Sequence, residues 1–129
     1  MPFLPRPRRA RIAALAAMLL AATAVFAADS DGNYAVWGAG AKSCHTFNTS
    51  GEDAAAGYRQ YVMGYLTAYN ALANETYSIS ADQDLDAVMG WLSTYCEDKP
   101  MHSFDQALMD YTSSHVADRL KRPPGRLGW

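Results

Sequence analysis

Hydrophobic residues recur at steps of three and four along residues 52–74, which is the spacing of one face of an α-helix. The positions that share this face are Tyr58, Tyr61, Val62, Tyr65, Leu66, Tyr69 and Leu72. Gly57 and Gly64 lie within the same segment, although glycine weakens a helix by about 1 kcal/mol relative to alanine. The pattern predicts a first long helix over residues 52–74, with the glycines allowing a neighbouring backbone to approach closely.

Two further segments keep the same helical period. Residues 82–96 and the residues after Ser103, as far as about 121, each carry one apolar face. The inward positions are Leu85, Val88, Met89, Leu92, Tyr95 and Cys96 in the first, and Phe104, Ala107, Leu108, Tyr111, Val116 and Leu120 in the second. Pro100 separates the two segments, and Ser103 with Gln106 has the spacing of a capping box. These patterns predict a second and a third helix.

No segment carries a strong strand pattern, and the best β-type run, residues 75–81, is short. We therefore predict an all-α fold, a small helical bundle of three main helices with a short N-terminal turn of helix around Cys44. Residues 28–43 are small and polar and are expected to form a flexible lead-in, with Trp37 packed against the domain. The helical domain is expected over residues 44–121, followed by a loose C-terminal tail over 122–129.

The first residues have the organisation of a secretory signal peptide. Four arginines within residues 1–11 precede the uncharged apolar run 12–26, and Val25 and Ala27 occupy the −3 and −1 positions of a cleavage site. We predict that residues 1–27 are removed on export. The run is shorter than the ~20 residues that a membrane-spanning helix needs, so no stable membrane anchor is expected.

Removal of residues 1–27 makes the chain more acidic. The full sequence has a formal net charge of −2, and the removed segment takes away four arginines and no acid, which leaves −6 on residues 28–129. Such a surface repels the phosphate backbone of nucleic acids, so a nucleic acid is not an expected partner. The remaining length is that of one small domain, for which a covalent cross-link matters because the core is limited.

Cys44 and Cys96 are the two cysteines of the chain, and an exported protein meets an oxidising environment. We expect them to form an intramolecular disulfide that ties the start of the domain to the end of the second helix. An intermolecular bridge and a pair of free thiols are the alternatives. Their spacing is not that of a C-x-x-C redox motif.

The sequence offers no pattern that indicates catalysis. The three histidines are not spaced as helical metal ligands, no G-x-S-x-G nucleophile motif occurs, and no phosphate-binding glycine loop is present. His45 and His102 both neighbour the regions that a disulfide would tie, which would bring them close together, and two nearby histidines more often form a surface pair than a metal site. We predict no catalytic residue, no metal, no cofactor and no enzyme activity.

Tyrosine is abundant on the first predicted helix, and Trp91 lies off the main stripe of the second. One interpretation is a small core with phenolic hydroxyls at its rim. The other is an aromatic surface for a partner or for a second copy of the chain, because Tyr and Trp are enriched at interfaces. The candidate surface consists of Tyr61, Tyr65, Tyr69 and Trp91.

Three segments resemble the HdeA/HdeB family. Residues 92–108 are similar to its second-cysteine region, residues 38–44 followed by Phe47 to its first-cysteine region, and residues 61–70 to an aromatic helix of its divergent members. Members of that family are small periplasmic helical proteins with one disulfide that act as ATP-independent chaperones in acid stress. The resemblance implies a periplasmic location, a Cys44–Cys96 bridge and unfolded proteins as clients. This chain has fewer lysines and more tyrosines than those chaperones.

Acid would reverse the charge of such a protein. Below about pH 4 its carboxylates are protonated, and the seven Lys and Arg and three His residues of 28–129 leave a charge of about +10. Self-repulsion would then loosen the packing. Residues 61–70 also resemble a helix of Tai-type immunity proteins, so the alternative hypothesis is an immunity- or inhibitor-type module that binds a specific periplasmic protein.

Overall fold

The computed structural model describes residues 28–125. The predicted signal peptide and residues 126–129 of the predicted tail lie outside the described residues. Residues 28–34 belong to a separate unit from residues 35–125. In the first unit the Asp29 carboxylate accepts hydrogen bonds from the backbone amides of Asp31 and Asn33 at 2.9 and 2.8 Å, which closes a turn.

The second unit is helical, and the predicted all-α class is confirmed. A 3₁₀ turn at Gly38–Ala41 precedes four α-helices, which are α1 (Cys44–Thr49), α2 (Glu52–Leu72), α3 (Leu85–Asp98) and α4 (Phe104–His115). Over residues 35–125 the only β-type pairings are two isolated bridges, Ser43 with Ser103 and Ser78 with Leu120. Within the described part of the chain, no helix is both long enough and apolar enough to cross a membrane.

Polar side chains cap three of the helices. The Ser43, Asp84 and Ser103 side chains accept hydrogen bonds from backbone amides in the first turns of α1, α3 and α4, respectively. The Ser103 hydroxyl accepts from the Gln106 amide at 3.1 Å, as the capping-box spacing predicted. Each such cap satisfies an amide that the helix itself leaves unpaired.

Helix α4 ends earlier than the apolar pattern predicted. It stops at His115, and Val116, which was expected to face inward, is exposed. The chain then turns so that the backbone of Leu120 exchanges hydrogen bonds with Ser78 at 2.9 and 3.1 Å. The short β-type run near residue 78 therefore takes its backbone partners from the residues that would have extended α4.

The core lies where the three long helices meet α1. Its fully buried members include Val62 of α2, Leu92 of α3 and Leu108 of α4. The Phe104 ring packs against Phe47 of α1 and Tyr58 of α2, with ring centroids 4.5 and 4.9 Å away. These aromatic contacts connect the short helix to both sides of the bundle.

Two further residues that were predicted to pack against the domain are on the surface instead. Leu72 at the end of α2 is 83% exposed, because the last turn of this helix extends past the core. Trp37 is 81% exposed and does not pack against the domain. The adjoining 3₁₀ turn, Gly38–Ala41, does contact α2 and α4, so this part of the predicted lead-in belongs to the packed unit.

The close backbone approach predicted at Gly57 and Gly64 is wrong. A Cβ atom at either position would meet nothing within 4 Å. The close approach is at Gly40, where a Cβ atom would lie 2.0 Å from the Tyr61 hydroxyl oxygen and 2.3 Å from Cζ. Gly40 thus makes room for a tyrosine of α2.

The structure contains the intramolecular Cys44–Cys96 disulfide, with the two Cα atoms 4.8 Å apart. It joins the first residue of α1 to α3. Beside it the Asn48 side chain donates to the Ser93 carbonyl at 2.9 Å and accepts from the Ser93 hydroxyl at 3.0 Å. We call the disulfide and the Asn48–Ser93 pair the α1–α3 clasp, and it contains no ionisable group.

Two glycine-to-alanine substitutions should have opposite effects on stability. Gly40→Ala forces the Tyr61 ring to move and should lower the free energy of unfolding by about 1–3 kcal/mol, the usual cost of overpacking. Gly57→Ala adds a methyl group in open space and should raise it by about 0.5–1 kcal/mol through helix propensity. Urea unfolding followed by circular dichroism measures both, and equal values for the two variants would contradict the packing described at Gly40.

Candidate functional site

The four residues of the predicted aromatic surface lie in separate parts of the structure. Tyr61 is half-buried against the core, and its hydroxyl donates to the Asp105 carboxylate at 3.2 Å. Tyr65 and Tyr69 lie together on α2. Trp91 lies in a groove between α3 and α4. The four residues therefore do not form one continuous binding surface, and each place has its own chemistry.

An apolar hollow lies along the C-terminal part of α2. It has a volume of about 340 Å³ and is lined by Tyr65, Ala68, Tyr69, Leu72 and Ala73. No ionisable carboxylate or amine contributes to this lining. A hollow of this composition can hold an apolar side chain, and Leu72 already presents an exposed one at its edge.

The second place is a groove of about 240 Å³ between α3 and α4. Its lining residues are Trp91, Tyr95, Lys99, Asp110, Ser113 and Ser114, and we call it the α3–α4 groove. The Trp91 and Tyr95 rings are stacked with centroids 5.4 Å apart. Trp91 also meets the Tyr111 ring edge-to-face at 5.2 Å, which anchors it to α4.

A hydrogen-bond network crosses this groove. The Tyr95 hydroxyl donates to the Asp110 carboxylate and lies 2.7 Å from Nδ1 of His102. Because a hydroxyl has one proton to donate, His102 Nδ1 must be the donor in the second contact. The Gln106 side chain gives Asp110 another hydrogen bond at 3.0 Å. The network links α3, α4 and the loop between them.

The network changes the acidity of its members in opposite directions. Burial, reinforced by the hydrogen bond to Asp110, raises the pKa of Tyr95 to about 12. The same hydrogen bond from Tyr95, with help from Gln106, Lys99 and His102, holds the pKa of Asp110 below its usual value. Tyr95 therefore stays neutral and Asp110 stays charged at neutral pH, so neither is poised to exchange protons there.

Tyr111 is also kept neutral. Burial raises its pKa to about 12, and its hydroxyl donates to the Gln83 side chain at 2.8 Å. Its ring stacks on the His115 ring at 4.1 Å. This tyrosine packs α4 against the segment before α3, so its role is structural.

Each pair of long helices is joined by a hydrogen bond in which a carboxylate of one helix accepts from a side chain of the other. Arg59 of α2 donates to Asp86 of α3 at 2.6 Å, and Tyr95 of α3 donates to Asp110 of α4. The third joins Tyr61 of α2 to Asp105 of α4. Asp105 is buried, with only 5% of its surface exposed. We call these three contacts the carboxylate ties.

The sequence analysis did not find the carboxylate ties. The partners are 15, 27 and 44 residues apart, and their pairing depends on how the helices cross. One feature of the sequence did indicate a contact for Asp110, because this acid lies between Ala107 and Tyr111 at the margin of the apolar face of α4. Near the start of α3, Asp84 caps the helix, whereas Asp86 pairs with Arg59 of α2.

The disulfide region brings the backbones next to two of the histidines together. The backbones next to His45 and His102 do meet, since the Cys44 amide donates to the His102 carbonyl at 2.7 Å and the His45 amide to the Pro100 carbonyl at 2.9 Å. Over residues 28–125, however, no group of three His, Cys, Asp or Glu side chains is placed to hold a metal ion.

Comparison with known proteins adds no relative to these observations. No protein-family model, no curated protein and no solved structure matches the chain. The resemblance to the HdeA/HdeB family thus stays a prediction carried by the three short segments between residues 38 and 108, and the function has to be argued from the chain's own residues.

Proposed function

We propose that this protein is a periplasmic, ATP-independent chaperone that opens in acid and binds unfolded proteins. One observation carries the proposal: carboxylates tie the three long helices to one another, whereas the α1–α3 clasp has no group that titrates. Among these carboxylates, Asp110 has a pKa that the fold lowers, so acid weakens its hydrogen bond and leaves the clasp intact. The family resemblance supplies the chaperone role, and the predicted signal peptide supplies the location.

Asp110 shows the direction of the pH effect. Its pKa is lower in the folded protein than in the unfolded chain, so its ionisation stabilises the fold above the ordinary aspartate range near 4. That stabilisation is lost as the pH falls through the lowered folded value. Protonation of Asp110 also weakens the hydrogen bond from the Tyr95 hydroxyl, because the acceptor is then no longer charged.

Charge reversal acts in the same direction as the loss of the ties. Residues 28–129 change from about −6 at neutral pH to about +10 when the carboxylates are protonated. The positive groups then repel one another within a small domain. Both effects favour separation of the helices below about pH 4.

Separation of the helices would expose the surfaces that clients need. The inward faces of α2, α3 and α4 carry Val62, Leu92 and Leu108, all fully buried in the closed form. The apolar hollow near Leu72 is already open to solvent and adjoins the same helix. The clasp keeps α1 on α3, which limits the expansion and allows the helices to repack when the pH rises.

Asp110→Asn should weaken the pH dependence of folding. Asparagine cannot ionise, so the charged hydrogen bond is missing and we expect the free energy of unfolding at pH 7 to fall by about 1–2 kcal/mol. Between pH 6 and pH 3 the free energy of unfolding of this variant should fall less than that of the wild type. Urea unfolding at several pH values measures this. Asp82→Asn removes an exposed acid before α3 and should keep the wild-type pH dependence, and identical curves for both variants would contradict the role given to Asp110.

Client protection should depend on both pH and the disulfide. We expect the purified protein to suppress aggregation of an acid-denatured model enzyme at pH 2.5–3 at equimolar to severalfold ratios, and to be inactive at pH 7, where the helices are closed. The double variant Cys44→Ser, Cys96→Ser should protect less, because its opened chain is no longer held by the clasp. Light scattering follows the aggregation.

Absence of suppression by the oxidised protein at pH 2.5–3 would contradict the chaperone proposal. If circular dichroism and sedimentation also showed a rigid monomer from pH 7 to pH 2, the immunity- or inhibitor-type hypothesis would replace it. Protection that is equal at pH 7 and at pH 2.5 would contradict acid opening as its cause.

A further inference from the structure

We propose that the α3–α4 groove binds a basic side chain of a partner protein, an arginine above all, on the stacked Trp91–Tyr95 rings beside Asp110. This binding uses the closed, folded form at neutral pH. It therefore goes beyond the acid-induced activity and does not rest on it.

The two rings stack on each other along one side of α3, with Tyr95 buried and Trp91 partly exposed. They are four residues apart, nearly parallel with an interplanar angle of 18°, and both line the α3–α4 groove. Both also line an adjoining hollow of about 490 Å³ together with Gly90, Thr94 and Asp98. An aromatic face of this kind attracts cations, and Trp does so most strongly among the aromatic residues.

The protein already places a cation on this surface. The Lys99 ammonium lies 4.6 Å from the centroid of the Tyr95 ring, within the range of a cation–π contact. Lys99 is an exposed residue on the loop after α3, so a competing cation can displace its side chain into water. Its position shows that the groove favours positive charge.

Carboxylates lie on both sides of the rings. Asp110 lines the groove and Asp98 lines the adjoining hollow. The hydrogen bonds that Asp110 receives keep it charged at neutral pH. Residues 28–129 carry a net charge of −6, which would steer a basic partner toward the surface.

An aromatic ring next to a carboxylate favours arginine over lysine as the bound side chain. A guanidinium is planar and can stack on Trp91 while it donates hydrogen bonds to a carboxylate, whereas an ammonium is compact and strongly hydrated. Ser113 is exposed and borders the groove, where its hydroxyl can accept from a further N–H. We therefore assign the groove to an arginine that projects from a basic segment of another protein.

The indole N–H signal of Trp91 in NMR spectra reports binding directly. The folded protein at pH 7 is titrated with an acetylated, amidated Gly-Arg-Gly-Arg-Gly peptide and with its citrulline analogue, which has a similar shape and no charge. We expect a saturable shift of the Trp91 signal with the arginine peptide and none with the citrulline peptide. Trp91→Phe assigns the signal.

Two pairs of variants test the site with matched changes of charge. Lys99→Gln removes the internal competitor and should tighten binding of the arginine peptide by about two- to fivefold, whereas Lys42→Gln removes an exposed lysine elsewhere and should leave it unchanged or slightly tighter. Ser113→Arg fills the groove and should weaken binding at least tenfold. Gln60→Arg adds the same charge to α2 and should have little effect.

Four results would overturn the proposal. The first three are a non-saturable drift of signals across the whole acidic surface, equal shifts with the citrulline peptide, and equal affinities for Lys99→Gln and Lys42→Gln. Circular dichroism of each variant shows whether it is folded. Binding of free tetramethylammonium as tightly as the arginine peptide would also contradict an arginine side chain as the occupant.

Discussion

The disulfide between Cys44 and Cys96 is the constraint on which the rest of the structure depends. It joins residues 52 positions apart. A cross-link that closes a loop of that length lowers the entropy of the unfolded chain and so raises the free energy of unfolding by about 4 kcal/mol. That is comparable with the whole stability of many small domains, which begins near 5 kcal/mol. Helix α1 has only six residues and would not persist alone, so the bond also accounts for its presence.

The remaining contacts between helices fall into two chemical classes. Core residues such as Leu92 and Leu108 bury apolar surface, which does not depend on pH. The hydrogen bond from Tyr95 to Asp110 does depend on pH, because it helps to hold the pKa of Asp110 below its usual value in the folded protein. A small domain has a limited apolar core, so a polar contact of this kind is a larger share of its stability than it would be in a large one. The acidic groups also give residues 28–129 a formal net charge of −6 at neutral pH.

Much of the fold could be predicted because it follows from local patterns. The apolar period gave α2 and α3 to within a few residues, and Ser103 marked the start of α4. The errors arose where tertiary contacts override local preference. Helix α4 ends at His115 because Leu120 pairs with Ser78, and the glycine that permits close packing is Gly40 rather than one within α2.

The candidate site was harder to predict than the fold. Trp91 was singled out for its position off the apolar stripe of α3, and it does line a groove. The grouping with Tyr61, Tyr65 and Tyr69 assumed a single surface, whereas the helix crossings place Trp91 against α4 and leave Tyr65 and Tyr69 at a hollow on α2. Asp110 meets Tyr95 because α4 packs against α3, and His102 meets it from the loop between these helices, and no periodic pattern describes either contact.

Hydrogen–deuterium exchange at pH 7 and pH 2.5, corrected for intrinsic rates, tests most directly whether acid opens the helices while the clasp holds. The account predicts that α2 loses its protection at pH 2.5 whereas amides of α3 near Cys96 retain protection at least tenfold greater, and that reduction of the disulfide removes this difference. Unchanged protection of α2 at pH 2.5, or equal loss along α2 and α3 with the disulfide intact, would contradict it.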